Sequence, residues 1–220
     1  MFKLEKLEKF LLDKDCLIIS KKPIKLKSGR ISYYDVDIRN SMKDSGSLKK
    51  LCRYIYAYAK ENNLKPDAYL GVPDTGTPIA IILNTLIDYK KPSTVPQIVL
   101  RSHAKKYQAK ETHHSVTPIP KNLEFVLIED DVTTGNSLRE FIKLLLKINV
   151  KIQAVISITN RLEIRSDGRM VGKSICEDFK IPFHSITNSR RLIQKYTKNH
   201  QINQDIFKKI VNYSRKYCCK

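Results

Sequence analysis

Residues 126–137 read VLIEDDVTTGNS, and they decide the fold. Phe125, Val126, Leu127 and Ile128 form an uninterrupted apolar run, the pattern of a short parallel strand buried on both faces, and Glu129 and Asp130 end that run in negative charge. Thr133, Thr134, Gly135, Asn136 and Ser137 follow as a small, hydroxyl-rich turn. Leu138, Phe141, Ile142 and Leu145 then recur at helical spacing, so the turn opens a helix. Strand, tight turn and helix in this order predict an α/β chain with its ligand site at the strand's carboxyl end. A turn of this composition presents backbone N–H groups and hydroxyls to an anion, and the helix dipole adds to them. A phosphate fits there.

The acidic residues beside that turn need their own explanation, because carboxylates repel a phosphate unless they engage something else. A ribose diol serves: each carboxylate accepts hydrogen bonds from hydroxyls. Carboxylates on one side and a phosphate nest on the other describe a site for ribose 5-phosphate. An ordinary strand-to-helix turn capped by Asp, Ser or Thr draws on the same residue types and is the plainer alternative. The segment resembles the phosphoribosyl-diphosphate (PRPP) signature of type I phosphoribosyltransferases, with Asp131 standing where that family places an apolar residue.

Working outward, residues 24–39 (IKLKSGRISYYDVDIR) resemble the N-terminal segment of the orotate-using members of the family, Leu26 to Arg30 and Ser32 carrying the match. Residues 71–80 (GVPDTGTPIA) resemble the family's pyrophosphate loop; Gly71 and Gly76 can take backbone angles closed to other residues and turn N–H groups toward a diphosphate. Arg101, Lys105 and Tyr107 in LRSHAKKYQAK fall at the spacing of the mobile catalytic loop, although Ser102 and Gln108 replace a usual lysine and glycine, and Tyr33 replaces a common proline. Asn160-Arg161 sits where the family has an Asp-Arg pair.

The resemblance covers about residues 20–195 and implies a type I phosphoribosyltransferase fold: a mostly parallel central sheet flanked by helices, a small N-terminal hood and a mobile catalytic loop. It implies one domain, with a hood at about 1–40, a catalytic core at 41–197 and a basic C-terminal helix at 201–220. The implied catalytic groups are Arg101, Lys105, Glu129 and Asp130. PRPP falls to Gly71, Val72, Pro73, Asp74, Thr75, Gly76, Asp131, Thr133, Thr134, Gly135, Asn136 and Ser137, and orotate to Lys27 and Arg161. Magnesium is the implied cofactor, held mainly through PRPP, with Glu129 and Asp130 as the chain's own candidate ligands. Loop residues that reach a neighbouring subunit's site imply a homodimer. A relative acting on another base, or a PRPP-binding regulator without catalysis, would share much of this signature.

Apolar periodicity predicts helices at 2–13, 47–62, 77–87, 136–147 and 189–197, and strands at 67–72, 97–101, 124–129 and 152–159. Residues 102–122 lack an apolar period, contain Pro118 and Pro120, and read as a long functional loop, an active-site lid. His103, His113 and His114 lie in it without the spacing of a metal site, and solvation is their default. Tyr54, Tyr56 and Tyr58 read as the edge of a buried helix face.

The 220 residues carry a net charge of +19. The lysines are spread along the chain rather than gathered on a motif, which argues against a nucleic-acid binder and for solvated faces whose positive field favours anionic substrates. The partial exception is Lys208, Lys209, Arg215, Lys216 and Lys220 near the C-terminus, and the ~20 residues before Lys21 are too few for a DNA-reading helix-turn-helix. An apolar run near ~18 residues is absent, and MFKLEKLEKFLLDKD reads as a helix rather than a secretory leader. Five scattered cysteines favour reduced thiols and a cytoplasmic location.

Overall fold

The computed structural model describes residues 1–26, 28–88, 95–101 and 115–219. In chain order the elements are α1 (Leu4–Asp13), β1 (Leu17–Lys25), β2 (Ile31–Val36), a 3-10 turn (Ile38–Met42), α2 (Ser45–Glu61), β3 (Ala68–Gly71) and α3 (Gly76–Asp88). After these come β4 (Glu124–Val132), α4 (Asn136–Lys147), β5 (Lys151–Asn160), α5 (Val171–Phe179), β6 (Phe183–Asn188), α6 (Ser189–Asn199) and α7 (Gln204–Tyr217). Among the described residues β3, β4, β5 and β6 make one parallel sheet in that order, and β1 and β2 pair separately as an antiparallel hairpin.

The apolar run that the sequence singled out is the centre of the sheet. Side chains alternate across a strand, so Phe125 and Leu127 face one layer, against Leu138, Ile142 and Leu145 of α4 and Val171 and Ile175 of α5. Val126 and Ile128 face the other, against Leu51 and Ile55 of α2, Ile79 and Leu83 of α3 and Leu192 of α6. All four strand residues are fully buried, and each aliphatic or aromatic side chain so placed stabilises by roughly 1.5–3 kcal/mol relative to exposure. Helices on both faces leave the strand ends as the open surface.

The hairpin, α1 and α7 share the second of these cores: Leu17, Tyr34 and Val36 pack in the same cluster as Leu7, Leu11, Ile210 and Tyr213. Register between β1 and β2 shifts between Ile19 and Ile24, where Pro23, which has no N–H to give a ladder, is accommodated. Side chains cap several helices: Asp44 accepts from the N–H of Ser47 at α2, Asn188 from that of Arg191 at α6, and Asn203 from those of Asp205 and Ile206 at α7.

The strand expected at 97–101 is not in the sheet. Residues 95–101 instead run beside 115–117: Leu100 bridges antiparallel to Ser115, and the N–H of Val116 donates to Val99 O at 2.8 Å. The cause lies on the edge they would have joined. The carboxamide of Asn84 in α3 accepts from the N–H of Tyr69 at 2.7 Å, donates to its carbonyl at 3.1 Å and donates to Pro96 O at 3.4 Å, standing between β3 and this segment. β1, β2, α5 and β6 were not assigned from periodicity, and the C-terminal helix is shorter than 201–220.

Candidate active site

β4 carries its acidic residues further than the sequence suggests, because β5 stays paired with it to the end: Asp131 is opposite Thr159 and Val132 opposite Asn160. Glu129, Asp130 and Asp131 are therefore on extended, half-buried strand. The Thr159 hydroxyl donates to Asp131 Oδ1 at 2.6 Å. Burial pushes the Asp131 carboxyl up to about 7, against the opposing pull of Arg161 and of the Thr159 bond.

The turn after β4 needs glycine at 135. Its φ is +70°, and a Cβ there would stand 2.1 Å from Cγ2 of Val171, the first residue of α5. α4 starts at the next residue, so its first turn points its free N–H groups across the turn. Arg165 braces the turn from outside, donating to Thr134 O at 2.6 Å and to Asn136 Oδ1 at 3.0 Å. On the neighbouring strand, a Cβ on Gly71 would meet the carbonyl of Gly76 at 2.2 Å, and one on Gly76 would meet Ile128 O at 2.4 Å. Two glycines thus let the 71–76 loop fold flat against the end of β4, where the N–H of Val72 donates to Ile128 O. The Pro73–Asp74 peptide is cis.

These two loops face each other across a cleft of about 460 Å³. Of the residues expected at the site, Val72, Pro73, Asp74, Thr75, Glu129, Asp130, Asp131, Thr133, Thr134, Gly135, Asn136 and Ser137 line it. Gly71 and Gly76 lie beneath it as the closures of the loop. Arg101 stands apart from the cleft lining, with Nε donating to Ser115 O. Arg161 is wholly buried behind the wall, with Nη1 on Asp35 Oδ1 at 2.7 Å. Lys27, Ser102, His103, Lys105, Tyr107, Gln108, His113 and His114 lie outside the described residues.

Lys25, Ser28, Asp35, Asp37 and Arg39 also line the cleft, none of them expected as a site residue from the sequence. Part of the signal was there: Asp35 and Asp37 alternate at the end of an extended segment, while Arg39 is brought beside them by the 3-10 turn that Asp37 caps. Arg39 grips Asp37 with two bonds of 2.7 and 2.8 Å, and this holds the Asp37 carboxyl below its ordinary value. Asp35 moves the other way, raised by burial despite Arg161 beside it. Two glycine-closed anion loops with carboxylates between them suit a diphosphate at one end, a phosphate at the other and a diol in the middle.

The comparisons with known proteins agree with this geometry. A phosphoribosyl transferase domain family model matches residues 40–184. The chain is 27% identical over 136 residues to orotate phosphoribosyltransferase of Caenorhabditis elegans, covering 62% of this chain and 56% of that one, so it spans little more than half that relative's length. It is 26% identical over 162 residues to orotate phosphoribosyltransferase of Methanosarcina mazei, covering 74% and 81% of the two chains. The crystal structure of orotate phosphoribosyltransferase from Francisella tularensis superposes with a TM-score of 0.72 at 26% identity, over 96% of this chain and 98% of that one. With the family model spanning the cleft's glycine loops and its acidic strand end, this chain belongs to the phosphoribosyltransferase family.

Proposed function

We propose that the protein transfers the phosphoribosyl group of PRPP to orotate, releasing diphosphate and forming orotidine 5'-monophosphate, a step of pyrimidine nucleotide synthesis. The observation that carries this reading is the juxtaposition in one cleft of the Gly71–Gly76 loop, the 133–137 turn and the Glu129–Asp130 pair; the named relatives supply the base. The 133–137 turn holds the 5-phosphate with backbone N–H groups at the head of α4. Glu129 and Asp130 accept from the ribose hydroxyls and fix the ring. The 72–75 segment receives the diphosphate. Carbon 1 becomes cation-like as the diphosphate departs, so the chain's task is to place charge and orient the two reactants, with little covalent chemistry.

Glu129, Asp130 and Asp74 offer hard oxygen donors on the cleft wall, while the described residues contain no preformed group of three or more metal-holding side chains. That donor set fits a magnesium ion held chiefly by the substrate's own oxygens and steadied by one or two carboxylates. When bound, the ion neutralises charge developing on the departing diphosphate.

Lys105 and Arg101 complete the reading as groups that close over the diphosphate and exclude water. A homodimer belongs to the same proposal, as the resemblance of the 101–107 segment to a loop that reaches a neighbouring subunit's site supports, and five free thiols support a cytoplasmic setting. None of the helices among the described residues is long and apolar enough to cross a membrane. The test is direct: follow orotate absorbance with PRPP and magnesium and measure diphosphate released in step with it. Loss of orotate matched by diphosphate supports the assignment. An enzyme that binds PRPP and leaves orotate untouched overturns it.

A further inference from the structure

The cation assigned to the base is already engaged. Arg161 has no exposed surface, and each of its guanidinium nitrogens donates to the chain itself. Nε donates to Glu163 Oε1 at 3.0 Å, Nη1 to Asp35 Oδ1 at 2.7 Å, and Nη2 to Tyr34 O at 3.3 Å and Ser32 Oγ at 3.4 Å. The Tyr34 ring lies 4.4 Å from the guanidinium carbon. A ligand in the cleft cannot touch this cation while all these bonds stand.

The partners differ in their freedom to leave. Glu163 has a side chain 0% exposed and is locked from two further directions, by Arg30 Nη1 at 2.7 Å and by the Tyr213 hydroxyl at 2.7 Å. Pulling it away would strand a buried charge. Tyr34 O and Ser32 Oγ belong to β2 and its internal bonds. Asp35 is different: its side chain is 35% exposed, it lines the cleft, and Arg161 is its one ion-pair partner among the described residues. Lys25 and Arg39 line the same cleft, Arg39 being bound to Asp37.

We propose that Asp35 is a specificity-determining residue, an internal anion seated on the Arg161 nitrogen that the carboxylate of an incoming base must take over. This rests on the reading of the cleft as a site for orotate. A carboxylated base binds by exchange: its carboxylate accepts from Nη1 as Asp35 lets go, and Asp35 remains nearby as a like charge. A base lacking the carboxylate gains nothing from the exchange. The resident carboxylate therefore lowers the advantage that Arg161 gives to carboxylated over neutral pyrimidines, and it sets which bases the cleft accepts.

The experiment compares wild type, Asp35→Asn and Asp35→Ala, using orotate and uracil, the same ring without the carboxylate. Binding of each base is titrated by calorimetry, and orotate turnover is measured alongside. Asn keeps the acceptor oxygen without the charge, and Ala removes both, so one reads the proposal if the other folds poorly. Orotate should bind about tenfold or more tightly to the variants relative to uracil, the factor expected when a charge-assisted hydrogen bond no longer has a competitor. PRPP affinity should stay within a few-fold. Unchanged or weakened orotate binding in the variants, with wild type turning orotate over, overturns the Asp35 proposal and leaves the function standing. Wild type that neither binds nor consumes orotate, beside variants that bind it, overturns the function and upholds the role of Asp35. Failure of orotate to bind any of the three proteins removes both.

Discussion

Asp130 and Arg161 show how differently two charged residues of one site are held. Asp130 stands on the cleft wall at the end of β4, where the proposed function puts the diol. Asp130→Asn keeps the shape and removes the charge, and turnover should fall by at least about a hundredfold, the scale of one electrostatic contact made in the transition state, ~2.7–4 kcal/mol. Steady-state rates with both substrates saturating would check this, and near-normal turnover would sink the ribose-site assignment. Arg161→Lys keeps the charge and loses the fork that joins Glu163 to Asp35. We expect kcat/KM for orotate to fall roughly tenfold to a hundredfold, with PRPP affinity in the binary complex little changed; kinetics and a PRPP titration read the two halves separately. At this scale the acidic pair and the glycine turn were legible because each has a local pattern. The engagement of Arg161 was not, since Asp35 is 126 residues away in sequence and Glu163, the near partner, is itself fixed by Arg30 and Tyr213 from two other parts of the chain.

Among the elements, β4 was legible from its unbroken apolar run, and its last residues were not, because the β5 partner that keeps Asp131 and Val132 in the ladder is distant in sequence. β1 mixes lysines, serine and proline among its apolar residues, and half of it is exposed; its strand character comes from pairing with β2, not from periodicity. α1 is tied down by one buried acid, Glu8. Its carboxylate takes Arg191 Nε at 2.5 Å, the Thr187 hydroxyl at 2.9 Å and Lys195 Nζ at 3.4 Å, joining α1 to β6 and α6. Burial works to raise this carboxyl, and the bonds from Arg191 and Thr187 outweigh it, leaving it below its ordinary value. A depressed carboxyl stabilises the fold above the unfolded group's value of 4.5 and loses that contribution as pH falls through the folded value. Glu8→Gln should therefore destabilise by about 1–3 kcal/mol at neutral pH. Thermal melts of wild type and variant should converge below pH 4.5, and a gap that persists unchanged into acid would refute the ion-pair account.

For the molecule as a whole, the far field and the near field have opposite signs. The chain carries +19, yet the described cleft wall sets Asp35, Asp37, Asp74 and the Glu129–Asp131 run against Lys25 and Arg39. A polyanion is drawn in from a distance and then meets carboxylates, which is why the magnesium reading and the net charge belong together. Raising salt from low to high ionic strength should lower kcat/KM for PRPP by about tenfold through slower encounter, while kcat changes little. A salt effect confined to kcat would place the electrostatics in the closed complex instead. Beyond catalysis, the Asn84 carboxamide on Tyr69 has a consequence for how copies of this protein can meet. An exposed edge strand is a template on which another chain can continue a sheet, and proteins that stay soluble blunt such edges. β3 is four residues long, and its outward backbone at Tyr69 is already taken by a side chain of its own chain. With all four residues of β3 buried and the Asn84 amide also donating to Pro96 O at 3.4 Å, this edge is sealed by the chain's own atoms, so a second copy finds no strand to extend there, and Asn84→Leu, which strands the Tyr69 N–H and carbonyl, should destabilise the fold by about 1–3 kcal/mol in a thermal melt.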